Sequence, residues 1–113
     1  MNSTPLTARE VAATYADVAV LGDGAHVASG AAVVRLAPTE MQLMLSLVQA
    51  QGRTVRRAVL EMTAWGIWDQ VLPGALDAAI QGMQAKLATL GAKVMITGTP
   101  GSGYSLSRSN SRP

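Results

Sequence analysis

Arg53-Thr54-Val55-Arg56-Arg57 places three guanidinium groups and a hydroxyl within five residues, directly after the turn at Gln51-Gly52. Gln81, Gln84 and Lys86 follow on one helical pattern, and Lys93, Thr97 and Thr99 follow on a strand pattern. Cationic groups and hydroxyls of this kind hold phosphates, and amides hydrogen-bond to base edges. The set therefore has the chemistry of a polynucleotide surface. A solvated cationic face is the plainer reading of the same arginines.

Other chemistries find less support. His26 is the sole histidine and there is no cysteine, so no metal-ligand set is expected. No nucleophile has a base at a suitable spacing, and an enzyme is not expected. Gly98 and Gly103 have the glycine spacing of a phosphate loop, but Tyr104 stands where that loop needs lysine and no helix follows. Asp69 and Asp77 flank a loop containing Pro73-Gly74, and Asp77 is expected to make a helix-entry hydrogen bond rather than act as an acid or base.

The chain has 113 residues, enough for one domain with a core. The 49% hydrophobic content comes from Ala, Leu, Val and Met, with no Phe, so the core should be aliphatic around Tyr15, Trp65, Trp68 and Tyr104. Charge is unevenly spread. Residues 1–50 carry Arg9 and Arg35 against Glu10, Asp17, Asp23 and Glu40, for −2. Residues 51–113 carry Arg53, Arg56, Arg57, Lys86, Lys93, Arg108 and Arg112 against Glu61, Asp69 and Asp77, for +4. A basic second half suits a polyanionic partner. No secretory leader or membrane-length apolar run is visible, and the expected location is cytoplasmic.

Elements that would position these groups are legible in order. Thr7-Ala8-Arg9-Glu10 has capping-box spacing and predicts a short helix to about Ala16. Three short strands follow around Val18-Val20, His26-Val27 and Val33–Leu36, separated by glycine turns. Pro38 opens a helix with Leu43/Leu47 and Met44/Val48 as buried pairs. Val55, Val59, Leu60 and Thr63 supply the inward side of a second helix, which stops before Gly66. Leu76, Ile80, Met83, Leu87 and Leu90 stripe a third, ended by Gly91. A hairpin spans Lys93 to Ser107, with Tyr104 closing the core. The polar tail at 108–113 is expected to be frayed, with Arg108 and Arg112 either along a phosphate backbone or idle. The division is an N-terminal extension at 1–16, a domain at 17–107 and the tail. Its fold class is α+β: a small N-terminal antiparallel sheet, a three-helix core and a C-terminal β-hairpin wing. That is the order of a winged helix-turn-helix.

With Leu36-Ala37-Pro38-Thr39-Glu40, Gly52-Arg53-Thr54-Val55-Arg56-Arg57, Trp65-Gly66 and Gly101-Ser102-Gly103-Tyr104 in this order, the chain resembles the OmpR/PhoB-type effector domain of bacterial response regulators. Leu36-Ala37-Pro38-Thr39-Glu40 resembles the family's Leu-Thr-Pro-Thr-Glu, and Gly52-Arg53-Thr54-Val55-Arg56-Arg57 its Gly-Arg-x-Val-Ser-Arg. Trp65-Gly66, the run Leu76 to Leu87 and Gly101-Ser102-Gly103-Tyr104 match its Trp-Gly, recognition helix and wing. The resemblance implies a transcription regulator that binds double-stranded DNA, without cofactor or metal. RNA polymerase, another regulatory protein and a second copy of the chain are further candidate partners. No acidic phosphoacceptor pocket of a receiver domain occurs here, which leaves a stand-alone regulator or an effector half.

Departures from the pattern matter. Ala37 and Arg56 replace capping hydroxyls, each at a cost of about 1 kcal/mol if nothing else caps the helix. Gln81, Gly82, Gln84 and Ala85 replace a cluster of arginines, and Pro100 another in the wing. Two readings follow. In one, Gln81 and Gln84 each reach an adenine while Arg53, Thr54, Arg56, Arg57, Lys86, Lys93, Thr97 and Thr99 hold the duplex. In the other, Ala78, Gln81, Gly82 and Ala85 form a small face that docks a protein. Unconstrained drift at Gly82 is the third.

Overall fold

A computed structural model describes residues 10–66, 71–99 and 102–108. Four short strands open it: β1 (Val11–Tyr15), β2 (Val18–Leu21), β3 (His26–Ser29) and β4 (Ala32–Arg35), an antiparallel meander in that order. The helix expected to run to Ala16 is not formed where the chain is described, because residues 11–15 are β1. Thr7, Ala8 and Arg9, which carried that expectation, lie outside the described residues. Long-range packing decides the outcome: Ala13 and Tyr15 sit against the core, and the strand pairs Tyr15 with Val18. Three ordered strands next door offer β1 a ladder that an isolated short helix would lack. The sheet thus begins at Val11 rather than near Asp17.

Helix α1 (Pro38–Gln49) buries Met41, Leu43, Met44, Leu47 and Val48. Ala37 has no hydroxyl to cap it, but half of the capping box survives: the Ala37 N–H donates to Glu40 Oε1 at 2.9 Å. At the other end, the Gln51 amide donates to the carbonyls of Thr14 and Val48, both at 2.7 Å, tying α1 to β1.

Strand β5 (Val55–Arg56) leads into α2 (Arg57–Trp65), whose single buried residue is Leu60. Val59 and Thr63 do not face inward as expected; both are exposed. Successive helical residues are rotated by roughly 100°. Once Leu60 and Ala64 point at the core, their predecessors turn away. Arg56 does lack a side-chain cap bond, but the wing replaces it, since the Arg57 N–H donates to the Ser102 carbonyl at 3.3 Å.

Helix α3 (Ala75–Leu90) buries the expected stripe of Leu76, Ile80, Met83, Leu87 and Leu90 and ends in a left-handed Gly91. Strands β6 (Val94–Thr99) and β7 (Gly103–Arg108) form the hairpin, and β5 joins it to give a second sheet in the order β5-β7-β6. One aliphatic core unites β2, β3, the three helices and the hairpin, with Trp65, Tyr15 and Tyr104 at its edge. Trp68, Asp69, Pro100 and Arg112 lie outside the described residues. The Asp17 carboxylate links the two sheets, accepting from the Ser29 hydroxyl at 2.8 Å and from the Lys93 N–H at 2.9 Å.

The facing of α2 has a direct consequence. Leu60→Ala should cost about 2–5 kcal/mol in urea denaturation, whereas Val59→Ala should cost under about 1 kcal/mol. Equal losses would contradict this rotation of α2.

Candidate nucleic-acid interface

Burying one side of α3 leaves Ala78, Gln81, Ala85 and Ala88 exposed on the other. An open groove of about 610 Å³ runs between this helix, the start of α2 and the hairpin. Gln81 and Gln84 line it from α3, Arg57 from α2, and Ile96, Gly98 and Tyr104 from the wing. The groove brings part of the sequence-derived set to one place.

Within that set the side chains differ in what they are free to do. Gln81 makes no side-chain hydrogen bond among the described residues. Gln84 is turned to the wing, where its Oε1 accepts from the Ile96 N–H at 2.8 Å. Arg56 and Thr54 are exposed at the entry to α2. Arg53 is exposed too, although its Nε donates to the Ala50 carbonyl at 3.3 Å. Lys93 is exposed at the base of the hairpin, and the Thr97 and Ser107 hydroxyls share a hydrogen bond of 3.1 Å. Thr99 ends β6. Arg108 lies over the Tyr15 ring, 5.8 Å from its centroid.

Arg57 is the residue the structure redefines. Its guanidinium forks onto Asp77, Nη1 to Oδ1 at 3.0 Å and Nη2 to Oδ2 at 3.3 Å. The Tyr104 hydroxyl donates to the same Asp77 Oδ1. Asp77 is therefore no helix-entry cap, as the sequence had implied, and α3 begins without a side-chain cap bond. Arg57 and then Tyr104 hold the Asp77 carboxyl below the usual carboxylate range. Burial, and then the neighbouring carboxylate, push the Tyr104 phenol up, while the Asp77 hydrogen bond raises the Arg57 guanidinium. Tyr104 reaches Asp77 across Gly98, where a Cβ would start 2.5 Å from the ring. Gly98 thus serves packing, and Tyr104 closes the core as expected while also bonding to α3. Arg57 and Asp77 are 20 residues apart, with no local pattern to announce the pair.

Lys86 takes part in a second ion pair. Its Nζ donates to Glu40 Oε1 at 2.5 Å, the same oxygen that caps α1. The other Glu40 oxygen lies over Gly82, 2.9 Å from where a Cβ would stand. The Glu40 carboxylate from α1 thus passes over Gly82 on its way to Lys86.

Three helices followed by a hairpin that closes a groove beside α3 define a winged helix-turn-helix fold. The chain matches, over residues 30–106, the family model described as transcriptional regulatory protein, C terminal, and belongs to that family. It is a DNA-binding transcriptional regulator domain of the OmpR/PhoB type. Solved structures share the fold. The DNA-binding domain of E. coli CadC aligns with a TM-score of 0.76 at 18% identity, over 88% of this chain and 94% of that one. The DNA-binding domain of the response regulator AdeR, in complex with an intercistronic region, gives 0.73 at 19%, over 84% and 98%. A streptococcal redox sensor evolved from two-component response regulators gives 0.72 at 22%, over 88% of this chain but 43% of that one. No match was found among curated proteins. No described helix is long and apolar enough to cross a membrane.

Glycine in a helix interior costs roughly 1 kcal/mol relative to alanine. Gly82→Ala should nevertheless gain less than about 0.5 kcal/mol here, because the new methyl must displace the Glu40 Oε2 that lies over it. In a Glu40→Ala background the same change should recover the full ~1 kcal/mol. Identical gains by urea denaturation in both backgrounds would refute the seating of Glu40 on Gly82.

Proposed function

We propose that α3 enters the major groove with Gln81 as its base-reading residue, while the α2 entry and the wing hold the flanking phosphates. The observation that carries this reading is Gln81 itself, exposed beside the wing groove with no intramolecular partner among the described residues. A glutamine amide pairs bidentately with adenine. Neighbouring Ala78 and Ala85 suit thymine methyl groups, so an A·T-containing site is the favoured target. Gln84 braces the wing and takes a positioning role. Arg53, Thr54 and Arg56 supply phosphate contacts from α2's entry, and Lys93 and Thr97 supply them from the hairpin. The AdeR domain, similar in fold, was solved with an intercistronic region, which supports a duplex as the partner. Exposed Val59 and Met62 on α2, with Leu72 ahead of α3, support a protein contact, for which RNA polymerase is the proposed partner.

The two kinds of contact separate by experiment. Arg56→Glu should weaken binding to every duplex alike and lower the slope of log K against log salt by about 0.9. Gln81→Ala should instead reduce discrimination at one base pair by ~1–3 kcal/mol and leave the slope alone. No detectable binding of the unaltered domain to a genomic fragment pool at low salt would sink the proposal.

A further inference from the structure

Arg57 stands in the wall of the groove beside Gln81, where a phosphate backbone passing between α3 and the wing would meet it. Its charge is already committed. Asp77 takes both terminal nitrogens in a fork, and its side chain is held in place by the Tyr104 hydroxyl from β7. The pair is open to solvent, with 32% of the Arg57 side chain and 44% of the Asp77 side chain exposed. A guanidinium fork fits carboxylate and phosphate alike, so the two anions compete for one set of donors. Nothing comparable restrains Arg56, the neighbouring cation, which is exposed and makes no ion pair among the described residues.

We propose that Asp77 is a positioning residue that withholds Arg57 from the DNA backbone and so limits the general, sequence-independent affinity of the domain. This rests on the DNA-binding reading and adds to it a residue that acts against binding. Asp77 stands in for the phosphate that Arg57 would otherwise hold, and the anchorage left to the domain is the exposed set at the α2 entry and the hairpin. Phosphate attraction adds equally to target and bulk duplex. Releasing Arg57 should therefore raise both, without changing which sequence is preferred.

Asp77→Asn tests this while keeping an oxygen that can accept from Tyr104; Asp77→Ser removes the same charge if the first variant folds poorly. Binding to a labelled random-sequence duplex is followed by fluorescence anisotropy over a salt series, with melting temperature as the folding control. Either variant should bind about threefold or more tighter at low salt, with a log–log slope steeper by about 0.9, the value of one added phosphate contact. An Arg57→Gln/Asp77→Asn double variant, as neutral at this site as the original pair, should return to the original affinity and slope. A single variant with unchanged slope overturns the proposal. So does a double variant that keeps the gain, since the carboxylate would then act without Arg57. If no form binds any duplex, the DNA-binding reading fails and this inference with it. If the unaltered domain binds and the single variants match it, only this inference fails.

Discussion

Burial of the Leu76, Ile80, Met83, Leu87 and Leu90 stripe is the constraint from which the rest of the interface follows. Each of these side chains is at most 7% exposed, so α3 cannot roll without pulling a large apolar residue into water. Its outward face is fixed as a result: Ala78, Gln81, Ala85 and Ala88 are what the helix has to show. The hairpin is set in turn, because Gln84 holds the Ile96 N–H and Tyr104 crosses Gly98 to Asp77. The wing groove is therefore a product of core packing.

Electrostatics then removes charge from that framework. Two acidic side chains, Glu40 and Asp77, take Lys86 on α3 and Arg57 in the groove wall. Both pairs do structural work as well. Glu40 also caps α1, and Asp77 joins the entries of α2 and α3 to β7. Partly exposed ion pairs contribute little stability by themselves. Their larger effect is directional, since they turn these cations inward while Arg53, Arg56 and Lys93 stay exposed at the margins. A near-neutral helix held by peripheral cations is a coherent way to meet a duplex, because phosphate contacts position and base contacts specify.

Much of this was legible in the sequence, for an identifiable reason. Helices α1 and α3 announce themselves by clean apolar periodicity and by Pro38 and Gly91 at their ends, and the wing by glycine turns and alternation. Helix α2 was placed but rotated: with Val59 and Leu60 adjacent and apolar, nine residues give too few repeats to choose the buried one. Strand β1 was misread because a capping-box spacing is local, whereas its ladder to β2 and its packing on α1 are not. At the interface the exposed face of α3 was readable from the wheel. The Arg57–Asp77–Tyr104 cluster and the Glu40–Lys86 bridge were not, since each joins residues 20 or more positions apart in sequence.

In the proposed binding mode, duplex DNA is met jointly by the α2 entry, the outward face of α3 and the hairpin. Backbone amide chemical-shift mapping during titration with a duplex selected from genomic fragments tests it most directly. Perturbations are expected at Arg53 to Arg57, at Ala78, Gln81 and Ala85, and along Lys93 to Thr97, with β1 to β4 quiet. Perturbations confined to the four-stranded sheet, or absent from α3 while binding is saturated, would contradict it.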